Sequence, residues 1–410
     1  MKAKEPASIA INGGLVVTQN ASRAVFRGGI LIEDGKIAAV GRGSFRAERI
    51  IDAKGYVAIP GLINTHTHVA MASVKGKFDD IGLEKFLEST SEYDAERSKS
   101  DIYESAKLGM QEMISSGTTS FLDLYYSEDI IASAAESIGI RAFLSWNTLD
   151  SMYTTQKGDP LKNAERFIRS YRGLDMVIPS IGVQGVYVAG DETYLKAKEI
   201  SERYGTLLHT HLAESAAEVD NFKRKYGHSP VEHLHRIGFL GRNLVAAHLV
   251  YASKKDIDTI AGDGASVSWN AISNAKLGNG FADIEGFVRS GINLTLGTDG
   301  SSSNNSLDLF QSMKFSGLLA KGLTKDPTFM GAQALLDSAT VNAANALERK
   351  DIGRIEEGCK ADIVLLDATM PNMAPTTVDN VVGNLVYSAG PENVNTVIVG
   401  GRILKGAGIS

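Results

Sequence analysis

GLINTHTH, residues Gly61 to His68, follows the apolar run VAIP and sets two histidines one residue apart. In an extended strand side chains alternate faces, so His66 and His68 point to the same side. Two neutral imidazoles on one face, at the end of a buried strand, form half of a metal site or else a hydrogen-bonded core pair. Ligands elsewhere in the chain have to decide between these readings.

Working outward, the middle of the chain alternates strand-like and helical stretches. Strand-like runs occur at VAIPGLINTH, TSFLDL, RAFLSW, DMVIPSIGV, TLLHTHL, LVAAHLV, ASVSWN and INLTLGTD. Helical stretches such as EDIIASAAESI, NAERFIRSY and ETYLKAKEISERY lie between them. Eight strands, each followed by a helix, predict a closed parallel (β/α)8 barrel. A doubly wound open sheet would carry a glycine-rich phosphate turn after its first strand, and INTHTHVAMA has none. Both chain ends read as short strands with glycine turns, in GGILIEDGKIAAVG and in ADIVLLDA and NVNTVIVGG. Asp34-Gly35 is a hairpin signal. Neither end alone can bury a sheet face, so the two ends are expected to pair in one small β-sandwich. The expected domains are 1–58 and 351–410 for the sandwich and 59–350 for the barrel.

Composition narrows the class. The 410 residues are 43% hydrophobic and 22% charged, with a formal net charge of −6 and no basic run. This disfavours a nucleic-acid or anionic-membrane surface and leaves a small-molecule substrate as the expected partner. The single cysteine, Cys359, excludes an internal disulfide and a thiolate metal cluster. MKAKEPASIA has no apolar signal region and no later run reaches the length of a membrane span, so a cytoplasmic protein is expected. A homo-oligomer is also expected.

In such a barrel, chemistry sits at the carboxyl ends of the strands. His66 and His68 end the first strand, His209, His211 and Glu214 mark the fifth, His248 the sixth and Asp299 the eighth. Histidines and an aspartate converging on a barrel mouth suit Zn²⁺, with Fe²⁺ as the alternative, and an open position for water. His209 reads as structural and deeper, and His228, His233 and His235 as solvated. The run EYDAERSKSD reads as a solvated helix start.

PGLINTHTH, HLAES, AAH, SNAKLGNG, GTDGSSSNNSLDLF and IGRIEEGCKADIVLLD together resemble the amidohydrolase superfamily. The branch they resemble is that of the methylthioadenosine/S-adenosylhomocysteine deaminases, with the triazine chlorohydrolases and guanine deaminase relatives. The resemblance covers nearly the whole chain. It implies His66, His68, His211 and Asp299 as ligands of one divalent metal, Glu214 and His248 as the catalytic pair, and Asp299 as an additional proton acceptor. The fourth strand, MVIPSIGVQG, lacks the lysine or carboxylate that bridges two metals in other members.

Departures from the branch cluster on substrate recognition. Gln184 stands where a histidine is usual, Trp146 where an arginine is, and Asp94 is the nearest counterpart of a ribose-gripping glutamate. Tyr251 and Trp269 replace histidines. The expected substrate-binding residues are Glu214, Gln184, Trp146 and Ser303. The expected activity is metal-dependent hydrolytic deamination of an amino-substituted nitrogen heterocycle, a purine or related ring. Hydrolysis of chloride from a triazine or of a cyclic amide is the alternative. A silent binding protein is disfavoured because it would not need Glu214 and His248. With indole in place of guanidinium, a compact flat ring is expected to outperform S-adenosylhomocysteine.

Overall fold

The computed structural model describes residues 8–406, so most of the amino-terminal MKAKEPASIA, residues 1–7, lies outside the described residues. None of the described helices is long and apolar enough to cross a membrane. The chain divides into two compact units, one of residues 64–110 and 121–307, the other of the described parts of 1–63, 111–120 and 308–410.

The parallel sheet has eight strands in sequential order: Leu62–Thr67, Thr118–Tyr125, Arg141–Thr148, Val177–Val183, Leu208–Leu212, Leu244–His248, Ser266–Trp269 and Leu294–Leu296. These strands are almost wholly buried, as expected where helices cover a parallel sheet. The last strand returns to the first through polar links. Thr65 Oγ1 lies 2.8 Å from Thr295 Oγ1 and donates to the Leu296 carbonyl at 3.0 Å, and the Asp299 N–H donates to the His66 carbonyl at 2.9 Å. These bonds nearly close the barrel and bring the first and eighth strand ends, with their ligand candidates, side by side.

The covering helices begin where the sequence caps them. Asp159 accepts the N–H groups of Leu161 and Lys162 ahead of Pro160–Tyr171, with Pro160 at the tolerant first position. Ser253 and Asp256 form a capping box on Lys254–Asp263.

The chain ends form one hydrogen-bonded sheet of eight strands. Its first strand, Ser8–Val17, pairs along one edge with Arg49–Asp52 through Ile9–Asn12 and with Tyr56–Pro60 through Leu15–Val16. Tyr56–Pro60 in turn pairs antiparallel with Ile363–Asp367, which joins the two chain ends. Ile9, Ile11, Ile30, Ile32, Ile363, Leu365 and Ile398 pack into one core, and the strands that carry them are hydrogen-bonded into this one sheet. The Asp34-Gly35 hairpin turn is present, with positive φ at both residues (48° and 73°).

VAIPGLINTH reads as one strand but is two. Tyr56–Pro60 belongs to the chain-end sheet and Leu62–Thr67 to the barrel. Pro60 cannot donate to a ladder, and a Cβ on Gly61 would stand 2.0 Å from Thr119 Oγ1, so the break occurs where the backbone must pass close.

Candidate active site

Three imidazoles and a carboxylate meet at the carboxyl end of the barrel. Asp299 Oδ1 lies 3.3 Å from His68 Nε2 and 3.6 Å from His66 Nε2, and His211 Nε2 lies 3.2 Å from His68 Nε2. The second nitrogen of each ring fixes which face is offered. His68 Nδ1 donates to the Leu124 carbonyl and His211 Nδ1 to the Gln184 carbonyl, both at 2.6 Å. His66 Nδ1 and the buried His209 Nε2 share a proton at 2.9 Å, and His66 Nε2 is buried without a hydrogen-bond partner. Inward-facing Nε2 atoms crowded beside a carboxylate oxygen are a donor set that a divalent cation satisfies. The ligand atoms of His66, His68 and Asp299 lie within 4.8 Å of one another, as do those of His66, His211 and His248.

The electrostatics agree. Burial holds His66 and His211 well below the usual histidine range, hence neutral. Burial alone would raise Asp299, yet the His66 and His68 imidazoles keep it well below the usual carboxylate range. His68 is the exception: burial lowers it, but hydrogen bonding and charge from Asp299 outweigh this and push it up to about 9. Without a cation, the cluster therefore keeps one proton on His68 at neutral pH. Metal loading at pH 7 should release about one proton per chain, with affinity rising about tenfold per pH unit up to 9. Titrating metal-stripped protein with zinc in buffers of different ionisation heat measures this. A proton-neutral titration saturating at two equivalents would contradict both the stoichiometry and the origin of the proton.

Glu214 and His248 stand over this cluster. Glu214 Oε2 lies 3.8 Å from His248 Nε2, and Oε1 accepts from Asn279 at 3.0 Å. Burial, aided by the Asp299 charge, pushes Glu214 up to about 8, so it holds its proton at pH 7. Burial lowers His248, leaving it neutral. Glu218 accepts the N–H groups of Ala213 and Glu214, both at 2.9 Å, and so clamps the turn that carries Glu214. Ala213, His248, Leu249 and Asp299 all have positive φ (50°, 80°, 49° and 61°). Backbone strain of this kind concentrates at functional sites.

A cleft with about 680 Å³ of open space lies above, lined by His68, His211, Glu214, His248 and Asp299 on its floor. Its wall includes Phe86, Asp94, Tyr125, Asn147, Gln184 and Tyr187. Of the residues expected to bind substrate, Glu214 and Gln184 line this cleft. Trp146 does not: its indole donates to Gln156 Oε1 at 2.9 Å and packs on Phe167. Its strand neighbour Asn147, on the opposite face, lines the cleft instead. Ser303 is also displaced, donating to the Gly300 carbonyl at 3.1 Å, while Ser302 reaches the lining. Asp123, near the end of the second strand, lies outside the cleft lining. It accepts the Val69 N–H at 2.7 Å and pins the turn after His68.

The charged run at 92–101 is not simply solvated. Asp94 lines the cleft, accepts from Tyr125 Oη and faces Arg97 Nη1 at 3.4 Å, and the Arg97 side chain is buried. A composition-based reading treats such charges as surface, and nothing in the local pattern marks these two as inward. His228, His233 and His235 lie away from the site, paired with one another or with Asp191 and Asp263.

The chain matches the amidohydrolase family over residues 57–404. It is 40% identical over 404 residues to the 5′-deoxyadenosine deaminase of Methanosarcina mazei, covering 97% of this chain and 93% of that one. It is 37% identical over 401 residues to the 5-methylthioadenosine/S-adenosylhomocysteine deaminase of Caldicellulosiruptor saccharolyticus, covering 96% and 92%. Among solved structures, an adenosine deaminase from Xanthomonas campestris with bound zinc superposes with a TM-score of 0.91 at 27% identity, covering 98% of this chain and 94% of that one.

Proposed function

The chain belongs to the amidohydrolase family and is a hydrolase of carbon–nitrogen bonds in cyclic amidines, and on that premise we propose that it deaminates adenine nucleosides with an uncharged 5′ group. One observation carries the reading. Two buried carboxyl groups stand at one centre, Glu214 Oε2 3.8 Å from His248 Nε2 and Asp299 Oδ1 3.3 Å from His68 Nε2, with burial pushing Glu214 up to about 8 and the imidazoles holding Asp299 low. Two acids pushed apart in this way divide proton donation and acceptance between them.

His66, His68, His211 and Asp299 would hold one divalent cation, which we assign as zinc, and which when bound would supply the Lewis acidity that makes a water nucleophilic near neutral pH. Asp299 accepts that water's proton. Glu214 donates to the ring nitrogen next to the amino-bearing carbon, which makes that carbon electrophilic. His248 hydrogen-bonds the oxygen as charge develops on it. The oxygen bonds to that carbon, the carbon–nitrogen bond breaks, and the amino group leaves as ammonia with the proton Asp299 took up, while the hydroxyl proton of the adduct returns to Glu214.

The nucleoside is supported by the wall. Besides Glu214 and Asp299, Asp94 is the carboxylate on this lining, and we assign it the ribose hydroxyls. The cleft continues past Asn147, Gln184 and Tyr187 into a hollow that also includes Ser91, Thr154 and Gln156. No lysine or arginine lines either space among the described residues. Arg97, close by, is committed to the Tyr125 hydroxyl (2.8 Å), Asp94 and the Asp101 carbonyl (3.2 Å). The amino-acid carboxylate of S-adenosylhomocysteine would lack a counterion there.

Ammonia release from 5′-deoxyadenosine, methylthioadenosine, S-adenosylhomocysteine, adenosine, adenine and guanine under one condition tests this. We expect 5′-deoxyadenosine or methylthioadenosine to exceed S-adenosylhomocysteine by at least about tenfold in kcat/KM, the effect of one unmet polar contact. A lead for S-adenosylhomocysteine would show that the hollow holds its charge. Absence of ammonia from every purine, with turnover of a chlorotriazine, would replace the deaminase reading.

A further inference from the structure

SNAKLGNG, residues 273–280, belongs to the family-like pattern yet contains none of the proposed ligands or proton carriers. Its side chains address those groups from outside. Ser273 donates to Asp299 Oδ2 at 2.6 Å, Asn274 to His248 Nδ1 at 2.9 Å, and Asn279 to Glu214 Oε1 at 3.0 Å. Lys276 anchors the segment to Asn305 Oδ1 at 2.7 Å and to Asp79 at 2.5 Å.

We propose that Asn274 is a positioning residue that locks His248 in the tautomer with its proton on Nε2, making it a donor to the reacting centre and excluding it as a metal ligand. The proposal assigns His248 its task within the deaminase reading above. A neutral imidazole has one N–H and one lone pair. His248 Nδ1 faces the Asn274 amide at 2.9 Å and the Asn270 amide nitrogen at 3.4 Å, and all three residues are buried. Asn270 is oriented by its own oxygen, which accepts from Ser268 at 3.2 Å. With donors aimed at Nδ1, the proton belongs on Nε2, the atom that faces Glu214. His68 and His211 are arranged the opposite way. Their Nδ1 atoms donate to carbonyls, which leaves Nε2 free to bind a cation. Carbonyl or amide behind the ring thus sorts ligand from donor, and of the two overlapping groupings it removes His248 alone, leaving His66, His68, His211 and Asp299.

The test uses protein labelled with ¹⁵N at histidine, both metal-stripped and zinc-loaded, with His248 assigned by the signal lost in His248→Asn. Wild type should show His248 protonated at Nε2 in both forms. Asn274→Asp places an acceptor behind the ring at nearly unchanged shape. It should move the proton to Nδ1 and lower kcat by about 100-fold or more, with KM within about threefold and zinc content unchanged. Asn274→Ala leaves Asn270 as a donor and should cost about tenfold. A wild-type spectrum with the proton on Nδ1 would overturn the proposal. So would Asn274→Asp turning over at the wild-type rate with the tautomer switched. If Asn274→Asp does not fold, the wild-type spectrum and Asn274→Ala still decide. The spectrum needs no substrate, so a protein that releases no ammonia would overturn the deaminase reading and leave this one to be judged separately.

Discussion

Glu214→Gln should keep its metal and lose at least about 10²–10⁴-fold in kcat, or about 3–5 kcal/mol of barrier stabilisation. We place the residue outside the ligand set, because its oxygens meet Asn279 and, at 3.8 Å, His248. Its value lies in a proton held up to about pH 8 by burial and by the Asp299 charge. Glutamine has nearly the same shape but no acidic proton to give. Turnover requires the protonated form, so kcat/KM should fall as pH rises through the Glu214 pKa. A bound cation favours the ionised carboxylate and shifts that limb below 8. The variant should lack this limb. Paired measurements of zinc content and a pH–rate profile check both statements. Loss of metal from the variant would place Glu214 among the ligands.

Asp299→Asn should lose metal and turnover together. The carboxylate is the one anion among the proposed ligands, with Oδ1 held by the Gly300 N–H at 2.7 Å and Oδ2 by Ser273 at 2.6 Å. Those bonds aim it between His66 and His68. Removing only the outer partners of a metal ligand costs about 10–100-fold in affinity, so replacing the anionic ligand itself should exceed that. The amide also cannot take up a proton from water. In metal-free protein the same change should remove the elevation of His68, which Asp299 sustains against burial. Equilibrium dialysis against zinc and an NMR titration of His68 separate the two effects. Wild-type zinc affinity in the variant would remove Asp299 from the ligand set.

The barrel and the gathering of its strand-end residues were legible because both leave periodic marks. Residues at alternating positions share a face, so His66 and His68 announce themselves, and strand-end placement collects His211, His248 and Asp299. The cleft wall was harder to read. Trp146 and Asn147 are neighbours at the end of one strand, and their parity says that they face opposite ways without saying which way is inward. Only the helix Pro160–Tyr171, which offers Phe167 to the indole, resolves it. Ser302 and Ser303 pose the same problem on one helical turn. Arg97 reads as solvated because its partners Tyr125 and Asp94 come from separate elements.

The sequence by itself determined the inventory: eight strands alternating with helices, two β-rich ends, and the carboxylates and histidines able to face a common centre. Those features follow from side-chain period and hydrophobic pattern, which are local. Tertiary structure decided where VAIPGLINTH breaks, which face of each strand end meets the cleft, and which nitrogen of each imidazole is free. These depend on atoms brought together from distant parts of the chain. The Leu124 carbonyl behind His68 and the Asn274 amide behind His248 make two chemically identical side chains into a ligand candidate and a donor.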